Sequence, residues 1–99
     1  MAYRTTVKTL RTLVGRLNEI SGNPTTAWVA REDGKGCRAV VGCYVLDCAY
    51  GGYRLCQIVG ENGGERDITP RYGASVQADL IRAYMAGVYS AQSEIRKAA

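Results

Sequence analysis

The sequence predicts an α+β domain in the order α-β-β-β-α, a three-stranded antiparallel meander with two helices packed on one face. Three observations predict this fold. An amphipathic stretch lies near each end of the chain, and two apolar runs between them flank Ala49-Tyr50-Gly51-Gly52. Because a pair of glycines supplies positive φ at little steric cost, the pattern from Tyr44 to Val59 is typical of a tight β-hairpin.

The first helix is predicted over residues 5–21, where Thr5 or Thr6 can serve as the N-cap. The segment Ser21-Gly22-Asn23-Pro24 then ends it, with glycine as the C-cap and proline just beyond. Its apolar positions follow helical spacing and are Val7, Leu10, Leu13, Val14, Leu17 and Ile20.

Three strands are predicted between the helices. The first covers Thr25 to Arg31 and ends in a charged connection with an Asp-Gly turn signal. The second covers Arg38 to Asp47, and the third covers Tyr53 to Val59. The segment Gly60 to Gly73 is polar and rich in glycine, so we expect a long loop of the kind that is often functional or mobile.

The last helix is predicted to begin after Ser75 and to reach about residue 90, with fraying on to Lys97. Residues 1–99 are expected to form a single domain in which residues 1–4 and 91–99 are flexible. Two amphipathic helices are available to cover a sheet that needs one face buried. The other sheet face is therefore predicted to meet water or a partner.

Composition excludes several classes of protein. The 99 residues are 46% hydrophobic and 22% charged, which is typical of a globular chain and not of a disordered one. No apolar run approaches the roughly 20 residues that span a bilayer, so no membrane association is expected. The segment MAYRTTVKTL lacks the apolar core of a signal peptide, and a cytosolic location is therefore expected.

No catalytic, metal or cofactor site can be assembled from the residue types present. The chain has no histidine, which removes the usual neutral-pH proton shuttle and the commonest transition-metal ligand. The four cysteines, Cys37, Cys43, Cys48 and Cys56, lack the paired spacing of a zinc site. We expect them to be buried structural thiols, and we expect no enzyme activity, metal or cofactor.

The carboxylates leave one open question. Asp47 lies in an apolar strand just before the turn, where it could be a buried acid with a raised pKa. The alternative is a side chain that accepts hydrogen bonds from backbone amides or a tyrosine hydroxyl. Glu61, Glu65 and Asp67 fall in the long loop without cation-binding spacing, so a solvated loop is expected.

Basic residues are concentrated on the first predicted helix. Arg4, Lys8 and Arg11 fall within a narrow arc, with Arg16 nearby and no acidic residue before Glu19. Such a face can lie along a phosphate backbone, which makes these four residues the nucleic-acid-binding candidates. The alternative is a helix face that contacts only solvent.

Tyrosines gather around the hairpin and the long loop. Exposed tyrosine with arginine nearby has the composition of protein-interface hot spots. The same pattern would also arise at the edges of a core that contains no phenylalanine. The protein-interface candidates are Tyr44, Tyr50, Tyr53, Arg54, Arg71 and Tyr72.

The α-β-β-β-α order resembles that of the double-stranded RNA-binding domain over the whole chain. The resemblance implies non-sequence-specific binding of nucleic acid, with the first helix and a cationic start of the last helix on the phosphates. Here the last helix begins Ser75-Val76-Gln77-Ala78-Asp79, with no cation before Arg82, and the Pro-His element of the family is missing. Fold alone therefore does not transfer the function.

Three segments also resemble small phage-encoded proteins of unassigned role. They are Leu17 to Gly22 (LNEISG), Tyr44 to Leu55 (YVLDCAYGGYRL) and Leu80 to Gly87 (LIRAYMAG). The resemblance implies a viral accessory protein that acts in the host cytoplasm, binds a host or phage protein and has no catalytic residues. An inhibitor of a host defence complex, such as an anti-CRISPR protein, is one concrete form. Such a chain could be a monomer, or a homodimer paired through an uncovered sheet face or edge strand.

Overall fold

The computed structural model describes residues 5–24 and 26–98, which contain two helices and five strands. The strands form a two-stranded and a three-stranded antiparallel sheet. The α+β class is confirmed, whereas the number of strands and the single sheet differ from the prediction. The elements are α1 (Val7–Ile20), β1 (Trp28–Ala30), β2 (Cys37–Ala39), β3 (Tyr44–Ala49), β4 (Gly52–Ile58), β5 (Glu65–Asp67) and α2 (Ala74–Ala98).

The second predicted strand is broken into β2 and β3 by a turn at Gly42. Gly42 has a φ of 94°, which favours glycine, and its N–H donates to the Ile58 carbonyl at 2.8 Å. The Cys43 N–H donates to the Val40 carbonyl at 3.1 Å, which closes the turn. The chain therefore changes direction after β2, and β2 pairs with β1 in a sheet of its own. The adjacent valines favour a strand, so the pattern predicted one continuous element.

The predicted hairpin is confirmed as β3 and β4. Ala49 is paired with Gly52, so the connecting loop contains only Tyr50 and Gly51. The long segment after β4 is not structureless, because β5 pairs with β4 in the register Cys56 to Asp67. The order of the larger sheet is therefore β3-β4-β5.

Both helices pack on one face of the β3-β4-β5 sheet, as predicted, and they also contact each other. Fully burying one large aliphatic side chain contributes about 1.5–3 kcal/mol, so this layer is the main source of stability. Partly buried side chains from β3, β4 and α2 surround it. The buried members of this core are Leu10, Leu13, Val14, Leu17, Tyr44, Leu55, Ala78 and Ile81.

The small sheet covers one end of the opposite face. Ala39 of β2, Cys43 and Ile58 form a second buried cluster, against which Val40 and Val45 pack. Trp28 of β1 lies over the loop after β4, where a Cβ added to Gly63 would approach its Cη2 atom to 2.9 Å. The sheet face opposite the helices, which was predicted to meet water or a partner, is therefore only partly open.

The last helix is longer than predicted. It continues through Ala98 instead of ending near residue 90, so residues 91–98 are helical. The Gln92 Nε2 atom donates to the Ile20 carbonyl at 2.6 Å and ties these turns to the end of α1. Residues 1–4, also predicted to be flexible, lie outside the described residues. Within the described ranges, neither helix is long and apolar enough to cross a membrane.

Candidate protein-binding surface at the hairpin end

The end of the β3-β4 hairpin is joined by a third segment, residues 70–73. The Tyr53 N–H donates to the Tyr72 carbonyl at 2.8 Å, and the Tyr72 N–H donates back to the Tyr53 carbonyl at 3.0 Å. We call residues 47–54 and 70–73 together the hairpin-end surface. Five of the six predicted protein-interface residues belong to it, namely Tyr50, Tyr53, Arg54, Arg71 and Tyr72.

Gly52 allows residues 70–73 to lie directly against the hairpin. Its φ is 128°, and a Cβ added there would lie 2.4 Å from the Tyr72 carbonyl oxygen. Real Cβ atoms do not approach backbone that closely, and the backbone of Tyr72 cannot move aside without breaking its two bonds to Tyr53. The close contact between residues 70–73 and the hairpin therefore requires glycine at this position.

An ion-pair network holds the same three segments together. The Asp47 Oδ2 atom accepts hydrogen bonds from Arg54 Nη2 at 2.8 Å and from Arg71 Nη2. Arg54 Nη1 also lies 3.2 Å from Asp67 Oδ2, which connects the network to β5. Arg71 Nη1 donates to the Gly52 carbonyl at 2.9 Å. Charge-assisted bonds of this kind fix the two guanidinium groups in place.

The network answers the question that the sequence left open about Asp47. The hydrogen bond from Arg71, with a second from Arg54, outweighs partial burial and holds the pKa of Asp47 below its usual range. The hypothesis of a raised pKa is therefore wrong. The partners are guanidinium groups, and not the backbone amides or tyrosine hydroxyl of the alternative.

We expect Asp47→Asn to lower the free energy of unfolding at pH 7 by about 1–2 kcal/mol, because Arg71 loses its ionised partner and Arg54 keeps only Asp67. A carboxyl whose folded pKa is lowered stabilises the fold above its unfolded value, here 3.8, and that contribution disappears as the pH falls below it. Urea unfolding at several pH values should therefore show a steeper acid loss of stability for the unaltered chain than for Asp47→Asn.

The control for the pH measurement is Asp79→Asn. Asp79 lies on the exposed face of α2, 3.5 Å from Arg82, and an exposed pair of this kind contributes little. Its pH profile should follow that of the unaltered chain. Equal acid slopes for the unaltered chain and Asp47→Asn would contradict the role assigned to Asp47.

The predicted tyrosine cluster is divided between surface and core. Tyr50 is fully exposed at the hairpin loop and Tyr72 is 42% exposed, whereas Tyr53 is half-buried against the main core. Tyr44 is only 7% exposed, so its assignment to an exposed interface is wrong. Its hydroxyl hydrogen-bonds that of Tyr84 at 2.9 Å, and burial together with this contact raises the pKa of Tyr44 to about 12.

The predicted basic face is divided between two grooves. Lys8 and Arg16 line a groove of about 360 Å³ between α1 and α2, together with Arg82. Arg11 instead lines a separate groove beside β3. Five residues of helix separate Arg11 from Arg16, which places them about 140° apart around the axis. Arg4, the fourth candidate, lies outside the described residues.

The cysteines do not share one environment. Cys43 and Cys56 are buried, whereas Cys37 and Cys48 are exposed, so the prediction of buried thiols is wrong for the second pair. All four are free thiols, and burial raises the pKa of Cys56 to about 11. Among residues 5–24 and 26–98, no three Cys, Asp or Glu side chains group as a metal site would require.

We expect a chromogenic disulfide reagent to react with two thiols in the folded protein and with four after unfolding, because the reagent needs solvent access to a thiolate. Time-resolved absorbance in buffer and in denaturant measures both numbers. Cys37→Ser and Cys48→Ser should each remove one fast-reacting thiol. Rapid reaction of all four thiols without denaturant would contradict the assignment of Cys43 and Cys56 to the interior.

Sequence reasoning missed the buried amide that positions residues 70–73. Gln77 is fully buried at the start of α2, where its Nε2 atom donates to the Pro70 carbonyl at 3.0 Å and the Tyr53 carbonyl at 2.5 Å. The Thr69 hydroxyl donates to Gln77 Oε1 at 2.7 Å. A single polar residue in the apolar stripe of a predicted helix was the available signal.

No family model, curated protein or solved structure matches this chain. The comparisons thus add no functional assignment to the geometry. A function for this chain therefore rests on the surface itself and on the residue types that it presents.

Proposed function

We propose that this protein is a non-enzymatic binding module of the phage accessory type, and that it docks on a host or phage protein through the hairpin-end surface. Exposed Tyr50 at the end of a braced hairpin is the observation that carries the proposal. Tyr72 and the guanidinium groups of Arg54 and Arg71 lie on the same surface. Tyrosine and arginine are the residue types most enriched among interface hot spots.

Rigidity supports the proposal as much as composition does. Asp47 forms ion pairs with Arg54 and Arg71, and the missing side chain at Gly52 allows the backbone of Tyr72 to pair with Tyr53. A surface that is already ordered loses less conformational entropy when a partner binds. Tyr50 has no packing role among the described residues, because its side chain is fully exposed. The fold therefore does not account for a large aromatic ring at this position.

An inhibitor of a host defence complex, such as an anti-CRISPR protein acting in the host cytoplasm, is the concrete form that we propose. Its support is the small size of the chain and the likeness of its three segments to phage-encoded proteins. Inhibitors of this kind need only bind and block, and the surface described above offers aromatic and guanidinium groups for binding.

The test is affinity purification of the tagged chain from infected or defence-carrying cells, followed by measurement of the affinity for the recovered partner. Tyr50→Ala should weaken that affinity at least about 30-fold, as expected for a hot spot of about 2 kcal/mol. Tyr89→Ala, at an exposed tyrosine on α2, is the matched control and should bind normally. Failure to find a stoichiometric partner, or equal binding by Tyr50→Ala, would contradict the proposal.

A second candidate function is non-sequence-specific nucleic-acid binding through the α1–α2 groove. Lys8, Arg16 and Arg82 line that groove with threonine hydroxyls, and no carboxylate lines it. Phosphate is the ligand that such a groove would favour. Because Arg82 is within 3.5 Å of Asp79, part of its charge is already compensated.

Fluorescence anisotropy with labelled duplex RNA, duplex DNA and single strands, at about 50 and 200 mM salt, tests this candidate. Combined Lys8→Gln and Arg16→Gln substitutions should weaken binding to every sequence and lower the salt slope, whereas Arg96→Gln near the end of α2 should not. Absence of binding at the lower salt concentration would remove this candidate.

A further inference from the structure

One edge of the larger sheet presents unpaired backbone groups. The Ile58 N–H donates to the Cys43 carbonyl at 2.9 Å, and this bond determines which residues of β3 form hydrogen bonds with β4. In an antiparallel pair, alternate residues bond to the neighbouring strand. Tyr44, Leu46 and Cys48 therefore direct their N–H and C=O groups away from β4, toward the open edge of β3.

Asn18 occupies only the beginning of this edge. Its Oδ1 atom accepts the Tyr44 N–H at 2.7 Å and its Nδ2 atom donates to the Tyr44 carbonyl at 2.9 Å, so the side-chain amide replaces a neighbouring strand. The backbone groups of Leu46 and Cys48 have no comparable partner within residues 5–24 and 26–98. Two residues of β3 thus retain a free pairing edge.

A groove of about 330 Å³ lies between this edge and α1. Gly15 stands in its helical wall, and a Cβ built there would meet no atom within 4 Å. Glycine is less favourable than alanine inside a helix, so the missing side chain at this position leaves room in the groove at a cost to helix stability. The lining of this groove includes Arg11, Val14, Gly15, Tyr44, Val45 and Leu46.

The opposite edge of the sheet differs in a way that indicates a role for the β3 edge. β5 is only three residues long, Glu65–Asp67, and every one of them is charged. Short length and charge are the usual protections against unwanted strand pairing. β3 has six residues, and the two that expose free backbone groups, Leu46 and Cys48, are uncharged.

Charge indicates what kind of strand fits. Arg11 lines the groove, is exposed and makes no ion pair with any carboxylate that the structure describes, and no carboxylate lines the groove. Two-fold pairing of β3 with a second copy would bring two basic α1 helices to the same side of one sheet, and each chain carries a net charge of +4. An acidic partner avoids this repulsion.

We propose that the groove beside β3 binds an extended acidic segment of a partner protein, which adds to the β3-β4-β5 sheet as a further strand. Backbone bonds to Leu46 and Cys48 supply the pairing, Val14 and Leu46 contact apolar side chains of the segment, and Arg11 binds its carboxylate. The inference does not rest on the hairpin-end surface, because it uses only the backbone of Cys48 from that surface and none of its side chains.

The test begins with selection of eight-residue peptides from a random displayed library on the intact chain. We expect enrichment of acidic residues among β-branched ones, and the best peptide is then synthesised with a fluorescent label for anisotropy. Two N-methylated forms of the peptide are compared, one methylated at the odd-numbered amides and one at the even-numbered amides. One form should lose binding and the other should keep it, because only alternate amides face β3.

Two pairs of variants locate the peptide. Arg11→Glu should weaken binding at least about tenfold, whereas Lys8→Glu, in the other groove of the same helix, should change it little. Gly15→Leu should fill the groove and abolish binding, while Gly87→Leu on α2 should not. Leucine favours a helix over glycine, and circular dichroism of each variant confirms that it is folded.

Four outcomes would overturn the proposal. A peptide whose affinity is unchanged by both Arg11→Glu and Gly15→Leu binds elsewhere. A peptide that keeps its affinity in both N-methylated forms does not pair as a strand. Failure of the selection to give any peptide that binds below about 100 μM, a free energy of roughly −5.5 kcal/mol, would exclude the site. A dimer by light scattering that Gly15→Leu dissociates would make a second copy the occupant.

Discussion

Gly52→Ala is expected to lower the free energy of unfolding by about 3–5 kcal/mol, the largest effect expected for alanine at any glycine of the chain. Two costs combine at this position. The φ of 128° is strained for alanine, and the new Cβ would lie 2.4 Å from the Tyr72 carbonyl oxygen. Relief of that clash requires residues 70–73 to move away from the hairpin, which breaks the paired bonds between Tyr53 and Tyr72 and displaces Arg71 from Asp47.

Chemical denaturation measures the effect, and Gly51→Ala is the matched control. Gly51 also has a positive φ, 97°, but the nearest atom to an added Cβ is the Arg71 Cδ atom at 3.9 Å. Only the strain of the backbone conformation remains there, at about 1–3 kcal/mol. A loss for Gly52→Ala no greater than that for Gly51→Ala would mean that residues 70–73 are not fixed against the hairpin.

Asn18→Ala is expected to cost about 3 kcal/mol. The substitution leaves the N–H and C=O of Tyr44 without partners in a site where both residues are buried, and each orphaned group costs about 1–3 kcal/mol. Asn23 also loses one of its two acceptors, because its Nδ2 atom bonds Asn18 Oδ1 at 3.1 Å. The joint between α1 and the beginning of β3 should weaken accordingly.

The same denaturation experiment with Asn23→Ala provides the comparison. Asn23 is half-buried and bonds the Gly42 carbonyl at 2.9 Å, so its removal leaves one acceptor to find water, at about 1 kcal/mol. Asn18→Ala should also lengthen the free edge of β3 by one residue and raise the tendency to aggregate. Equal losses for the two variants would contradict the strand-like role of the Asn18 amide.

The parts of the fold that follow from local pattern could be predicted from the sequence. Helical spacing located α1, and the glycine pair located the β3–β4 hairpin, because both signals act within a few residues. The break at Gly42 and the pairing of β5 could not be predicted in this way. The break depends on the bond from the Gly42 N–H to the Ile58 carbonyl, 16 residues further along the chain, and β5 pairs with β4 at separations of 7 to 11 residues across a loop whose path no local pattern encodes.

The candidate site also contains contacts that could be predicted from local pattern and contacts that could not. Asp47 and Arg54 are cross-strand neighbours once the loop is known to have two residues, so this ion pair could have been derived from the hairpin register. Arg71 comes 24 residues after Asp47, and its position depends on the path of residues 60–73. Asn18 is a polar residue beside the apolar stripe of the predicted first helix, and this was the available sequence signal for its buried role.

The position of Trp28 makes the two sheets optically distinguishable. Trp28 is the only tryptophan and belongs to the small sheet, where it lies against Gly63. The described tyrosines all belong to the larger sheet, its hairpin end or α2, and are Tyr44, Tyr50, Tyr53, Tyr72, Tyr84 and Tyr89. Emission excited at the red edge therefore reports the small sheet alone, while far-ultraviolet circular dichroism reports mainly the helices. Local opening of β1 and β2 would thus appear as a fluorescence change that precedes the loss of ellipticity.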